Sequence, residues 1–287
     1  MSLSLGDTFN GQYKITKFIG NGSFGQFYTA SKITTKQQVT MKIQSVTDNN
    51  AKKLTKEIEI SKDVNGARNV ISYIDSFKHG EFLCLVTEHL PHDLQSQINN
   101  KVICRKNVLK LGHEMVQALT HLFHRGVYHT FITASKIRFD DGFTRAVLTD
   151  FSDAFMQFNN LRVDLSKEGI QTNMHPDACC GHPYQFMFDA TSVLYILLSM
   201  RHRKKLYCDP TREGMMQKKK LIFEKPYETL GKEKFLVHFV KQIKRQRAFD
   251  HHTEFDQLLD SVTKGVCSFD ADRPYQLINN GGCQFLK

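Results

Sequence analysis

Up to about residue 90 the apolar positions alternate with polar ones in short runs rich in β-branched and aromatic residues, the period-two pattern of half-buried strands. The runs are Tyr13 to Ile19, Gly25 to Lys32, Gln38 to Gln44, Val70 to Phe77 and Phe82 to Glu88, separated by turn residues. Ala51 to Val64 interrupts them with a helical period. Beyond residue 90 the apolar spacing changes to three and four, predicting helices over Val108 to Arg125, Ala190 to Met200 and Glu233 to Ile243. A small sheet with one helix, followed by a larger helical part, makes this an α+β chain. The absence of repeats and low-complexity tracts, and the presence of only 6 prolines, leave no linker, so residues 1–287 read as a single domain.

Composition adds where such a chain works. At 287 residues and 40% hydrophobic content it can bury a large core. No run approaches the roughly 20 apolar residues needed to span a bilayer, and the start has no secretory pattern. Seven cysteines, an odd number, do not read as a disulfide framework, so a cytoplasmic or nuclear location is expected. The net charge of +10 is concentrated: residues 201–247 hold 15 Lys and Arg against 5 Asp and Glu. A basic surface there suits an acidic protein, nucleic acid or anionic lipid, and its clusters from Arg201 to Lys205 and Lys241 to Arg247 suit a nuclear address. A solvated helical face accounts for the same run.

Gly20-Asn21-Gly22-Ser23-Phe24-Gly25 lies between two strand-like runs, where glycines let backbone amides close over phosphates. A strand, not a helix, follows, which favours a hairpin lid over a dinucleotide fold. Val39-Thr40-Met41-Lys42 ends a strand in lysine, and Glu57 lies fifteen residues on, inside the helix.

With these and the later landmarks the chain resembles eukaryotic protein kinases over nearly its full length. Thr87-Glu88-His89-Leu90 resembles the hinge, Val127 to Ile137 the catalytic loop, and Asp150-Phe151-Ser152 the metal-binding Asp-Phe-Gly. Gly169 to Asp177 resembles the end of the activation segment, Asp189 the buried anchor of the large lobe, and Arg273 the arginine that pairs with the segment's closing carboxylate, here Asp177. The resemblance implies a bilobal fold, with an N-lobe over 1–88 and a C-lobe over 89–287, and ATP with Mg²⁺ in the cleft between them. The Lys42 to Glu57 spacing and the Leu111-Gly112 pair lean toward the casein kinase 1 and vaccinia-related branch. Tyr73, His129 and Phe151 resemble members of the stack that positions the helix.

Several positions depart from the family's pattern. Phe131 stands where the catalytic aspartate would be, Thr133 where the loop lysine would be, and Lys136 where the second metal-binding asparagine would be. A phenylalanine accepts no proton and a lysine repels a metal, so Asp150 is the one metal ligand left. Lys136 can instead offer its ammonium to phosphate oxygens. Around the adenine, Phe27, Thr40 and Arg138 replace small or apolar residues, so ordinary ATP binding is expected to be compromised. Ser61 puts a hydroxyl into the stack and should loosen the helix. Thr130 removes the arginine that would answer a phosphorylated loop. Gly20, Gly22, Gly25, Lys42 and Glu57 persist. No zinc is expected at His175, Cys179, Cys180 and His182, which lack paired spacing. Three functions remain in competition: a pseudokinase scaffold or allosteric partner, for example of an active kinase; a divergent active serine/threonine kinase; and a basic nucleic-acid or membrane-surface module. The region 201–247 is the candidate docking surface for a protein partner.

Overall fold

The computed structural model describes residues 3–22, 25–47, 51–99, 101–156, 173–182, 184–202, 209, 211–247, 254–266, 268–280 and 283–287. The alternating runs build one antiparallel sheet from β1 (Thr8–Phe9), β2 (Tyr13–Gly22), β3 (Gly25–Lys32), β4 (Gln38–Ser45), β5 (Tyr73–His79) and β6 (Phe82–Glu88), in the order β1-β2-β3-β4-β6-β5. Tyr13, Ile15, Tyr28, Ala30, Val39, Met41 and Val86 form its core. Between β4 and β5 runs α1 (Ala51–Asp63), which buries Leu54, Glu57, Ile58, Ile60 and Ser61 against the sheet.

Two strand ends differ from the sequence reading by three residues, each for a pairing reason; β4 and β5 also run on by one and two residues, to Ser45 and His79. β2 runs on to Gly22 because Gly22 pairs across the turn with Gly25. β5 starts at Tyr73, three residues later than expected, because Val70 bridges to Leu148 and the Ile71 amide donates to the Leu148 carbonyl at 3.0 Å. Residues 70–71 thus join the two lobes instead of the sheet.

The helical lobe follows the hinge. It contains β7 (His92–Asp93), α2 (Leu94–Ile98), α3 (Arg105–His124), β8 (Val127–Tyr128), β9 (Ile137–Phe139), β10 (Ala146–Leu148), β11 (Phe155–Met156), α4 (Pro176–Cys179), α5 (Phe186–Arg201), α6 (Arg212–Glu224), α7 (Pro226–Thr229), α8 (Val237–Arg247), α9 (Phe255–Thr263) and the hairpin β12 (Leu277–Asn280) to β13 (Cys283–Leu286). α5 is apolar on almost every side and buried along nearly its whole length, as befits the centre of a lobe. The helix expected from Glu233 begins at Val237; before it a 3₁₀ stretch bends at Glu233, whose buried carboxylate accepts from Arg201 Nε at 3.0 Å. No helix among the described residues is long and apolar enough to cross a membrane.

The close packing of α3 on α5 and α9 depends on Gly112. A Cβ there would lie 2.8 Å from Val262 Cγ1 and 2.9 Å from Leu197 Cδ1. Gly112→Val is therefore expected to destabilise the fold by about 2 kcal/mol through overpacking, measured as a lower urea midpoint with unchanged slope.

Candidate functional site

A cavity of about 480 Å³ opens between the lobes. Gly20, Gly22, Phe27, Thr40, Lys42 and Glu57 line it from the sheet side, Thr87, Glu88 and Leu90 from the connection, and Phe131, Thr133, Lys136, Arg138 and Asp150 from the helical lobe. Its volume falls within the roughly 300–1,000 Å³ of small-molecule sites. The roof needs glycine at two points. Gly25 sits at φ +131° with the Ile43 carbonyl 3.0 Å from where a Cβ would lie, and a Cβ on Gly22 would meet the Phe27 ring at 2.4 Å.

The chemistry of the cavity is a continuous chain of charges. Lys42 Nζ lies 2.6 Å from Glu57 Oε2 and 3.3 Å from Asp150 Oδ1. The other oxygen of Asp150 is taken by Lys136 Nζ at 3.1 Å, and Lys136 also reaches Asp153 Oδ2 at 3.3 Å. Ser152 Oγ donates to Asp150 Oδ1 at 2.7 Å. Burial disfavours charge on Lys42, Glu57, Lys136 and Asp150, and the neighbours outweigh it at two of the four. Lys136 and Lys42 hold the Asp150 carboxyl well below its ordinary range, and Glu57 and Asp150 hold Lys42 above its own. Burial prevails at Glu57, whose pKa rises to about 7, and at Lys136, whose pKa is lowered. The Lys136 ammonium also faces the Phe131 ring at 4.5 Å. A cation of the protein itself therefore stands on the carboxylates where a metal would bind.

Adenine-side residues behave differently from expectation. Phe27 lines the cavity, with its ring against Gly22 and facing Lys42 Nζ at 5.1 Å. Arg138 does not stay under the ring plane as a loose charge. Its Nε donates to the Leu90 carbonyl at 2.6 Å and its Nη2 to the Pro91 carbonyl at 3.1 Å, so it is anchored to the connection. Thr40 Oγ1 bonds His89 Nδ1 at 3.1 Å. Glu88 is fixed by Ser72 and by Arg145 Nη2 at 2.5 Å. The connection is held by side chains from both lobes.

The protein kinase domain family matches residues 13–270. The chain belongs to that family. It is similar to the serine/threonine-protein kinase TIO of Arabidopsis thaliana, at 29% identity over 66% of this chain and 14% of the relative. It also resembles pak-1 of Caenorhabditis elegans (30%, over 66% of this chain and 33% of the relative) and Nek5 of Homo sapiens (25%, over 67% and 28%). The chain thus spans well under two thirds of the length of these relatives. A crystal structure of another protein's kinase domain shares the fold with a TM-score of 0.66 at 18% identity, over 74% of this chain and 70% of that one.

Among protein kinases the Lys42 to Glu57 pair marks the helix as docked, and it is docked here despite Ser61. The expected loosening does not occur. Ser61 is buried and lines the cavity, His129 and Phe151 keep ring contact at 5.3 Å, and Tyr73 joins a separate cluster with Leu54, Ile58 and Leu85. Asp189 accepts from the amides of His129 and Thr130 and from Tyr184 Oη, at 2.8, 3.0 and 2.8 Å. Those bonds hold Thr130 at φ +64°, and burial raises the Asp189 pKa to about 6.

Arg273 is a correction. It is exposed and makes no ion pair with Asp177 among the described residues. The segment end is tied instead by Lys219, whose Nζ donates to the Met174 carbonyl at 2.7 Å, and by Arg212, which donates to the Cys179 carbonyl at 2.9 Å. Residues 157–172, including Gly169, and the cluster 203–205 lie outside the described residues. Among those described, no group of three or more His, Cys, Asp or Glu side chains is placed to hold a metal ion.

Sequence reasoning missed Asp153 and the carbonyl anchors of Arg138. Asp153 had a signal: a buried lysine in place of asparagine needs a carboxylate, and Asp153 lies three residues past Asp150.

Proposed function

We propose that this kinase-fold chain acts by binding, as a scaffold or allosteric partner of another protein, and does not transfer phosphate by the family's usual route. The observation that carries this reading is the Lys136 ammonium at 3.1 Å from Asp150 and 3.3 Å from Asp153, with Phe131 beside it where a base would stand. A positioned base contributes roughly 10²–10⁴ in rate, and no carboxylate of the loop replaces it. Asp140 and Asp141 lie in the turn beyond β9.

The test is transfer from labelled ATP and Mg²⁺ to generic acidic and basic protein substrates. Incorporation no higher than that of Asp150→Ala is expected. Transfer abolished by both Lys42→Ala and Asp150→Ala would overturn the reading in favour of an active serine/threonine kinase. That second reading draws on the intact Lys42 to Glu57 pair, the retained Asp150 and the open cavity.

The partner surface on this reading is the basic region within 201–247. Lys220, Lys225, Lys241 and Lys244 are exposed there beside Leu221 and Tyr227, which are 41% and 51% exposed. Apolar side chains set among lysines favour an acidic protein, an active kinase being one candidate, over a nucleic acid or a membrane surface held by charge alone. A single domain over 1–287, working in the cytoplasm or nucleus, completes the reading. The Lys42 to Glu57 spacing supports a place near the casein kinase 1 and vaccinia-related branch.

A further inference from the structure

Outside the cleft, a second cavity of about 310 Å³ lies where the start of α3 meets the loop after α9. Its wall is apolar at Leu109 and Phe269, and its rim carries Arg105, Lys106 and Arg273. All three cations are exposed, and among the described residues none has a carboxylate within ion-pair distance. The one acidic lining residue, Asp270, spends Oδ1 on the Asp272 amide at 3.0 Å. Lys110, also in the lining, is neutralised by Glu114 at 3.0 Å. Three unpaired cations against one partly engaged carboxylate leave the cavity with a local excess of positive charge.

The site is also pre-shaped. The Arg105 guanidinium is held over the Phe235 ring at 4.7 Å, Phe269 rests on His113 at 5.1 Å, and Lys110 Nζ ties the loop through the Ala271 carbonyl at 2.9 Å. Lys287 O accepts from the Cys104 amide at 2.7 Å and from Asn107 Nδ2 at 3.2 Å, which ties Lys287 to the start of α3. The exposed cations of the rim attract an anion, and Arg is the residue that grips a planar or tetrahedral one through several donors. A half-open cavity of this size with an apolar floor admits one or two side chains and is too short to track a polynucleotide backbone.

We propose that this cavity binds an acidic peptide segment of a protein partner. Arg105, Lys106 and Arg273 hold its carboxylate or phosphate, and a neighbouring apolar side chain rests on Leu109 and Phe269. The site is independent of what the cleft does, and it gives the exposed Arg273 a role that the activation segment does not.

The experiment is fluorescence anisotropy of the full chain with a labelled leucine-phosphoserine-glutamate-leucine peptide, with saturating ATP as a control. Binding weakened roughly tenfold by Arg273→Glu and by Arg105→Glu, with melting temperatures unchanged, is expected, since each removes a charge-assisted bond. Lys78→Glu on β5, an exposed lysine outside both this cavity and the region 201–247, alters net charge equally and should leave affinity as it was, and ATP should not compete. If Arg273→Glu fails to fold, Arg273→Gln serves in its place. No binding by the unaltered chain, an equal loss in Lys78→Glu, or displacement by inorganic phosphate at the peptide's own concentration would overturn the proposal. The last outcome would leave a simple anion site.

Discussion

Asp150→Asn lowers folding stability by about 3–5 kcal/mol, the range for breaking a buried ion pair from one side. A carboxylate kept only for a metal would cost little when neutralised, whereas this one stands between two ammonium groups. Lys42 is 4% exposed and Lys136 10%, while Asp150 itself is 25% exposed, which places the effect toward the lower end. Lys42 keeps Glu57 and Lys136 keeps Asp153, but Glu57 is itself pushed by burial toward its neutral form, so neither partner makes up the lost charge fully. Urea unfolding of Asp150→Asn, Lys136→Met and the double variant measures the coupling. The double variant should recover part of the loss, because one unpaired ammonium leaves with the carboxylate. A change within about 0.5 kcal/mol for Asp150→Asn, the size of an ordinary surface substitution, would show that the network is not structural.

That network was only half legible in the sequence, for a physical reason. The order of strand, lysine, helix and glutamate follows from periodicity, and the fold brings Lys42 and Glu57 to 2.6 Å because β4 and α1 pack face to face. The bounds of β3 and β6 coincide with the alternation because both strands are paired on both sides within the sheet. β5, at the sheet edge, is less constrained, and its expected first residues were claimed by Leu148 of the other lobe. Such a contact has no local signature.

Side-chain direction was the least legible property. Arg138 reads as a charge beneath a base until the fold supplies two carbonyls at Leu90 and Pro91, and a guanidinium takes acceptors wherever they are fixed. The Phe27 ring packs against Gly22, where a Cβ would collide with it, a contact that spacing alone does not give. Arg273 reads as a partner of Asp177 by analogy, but Lys219 and Arg212 from α6 already hold the segment's end. For Arg138 the deciding acceptors lie 48 and 47 residues away along the chain, and one sequence cannot weigh such a contact against the family's usual pairing.

Magnesium is expected to add nothing to whatever stabilisation a nucleotide gives this protein, and Lys136→Asn is expected to make that stabilisation magnesium-dependent. Both Asp150 oxygens are engaged, Oδ1 by Lys42 and Ser152 and Oδ2 by Lys136, so a divalent cation would have to displace an ammonium and then sit beside it. Replacing Lys136 by asparagine frees Oδ2, removes the repelling charge and adds a neutral oxygen of the kind that magnesium accepts. The measurement is a thermal-shift titration with ATP, with and without Mg²⁺, on the unaltered chain and on Lys136→Asn, each normalised to its own nucleotide-free melting temperature. A ligand at a hundred times its dissociation constant adds about 2.7 kcal/mol, so a binding mode gained with the metal is well within reach of the method. A shift in the unaltered chain that grows with Mg²⁺ would mean that Lys136 yields its place to the metal, and the case for a binding protein would then give way to weak catalysis. Equal curves with and without the metal in both proteins would mean that something other than the Lys136 ammonium keeps magnesium out.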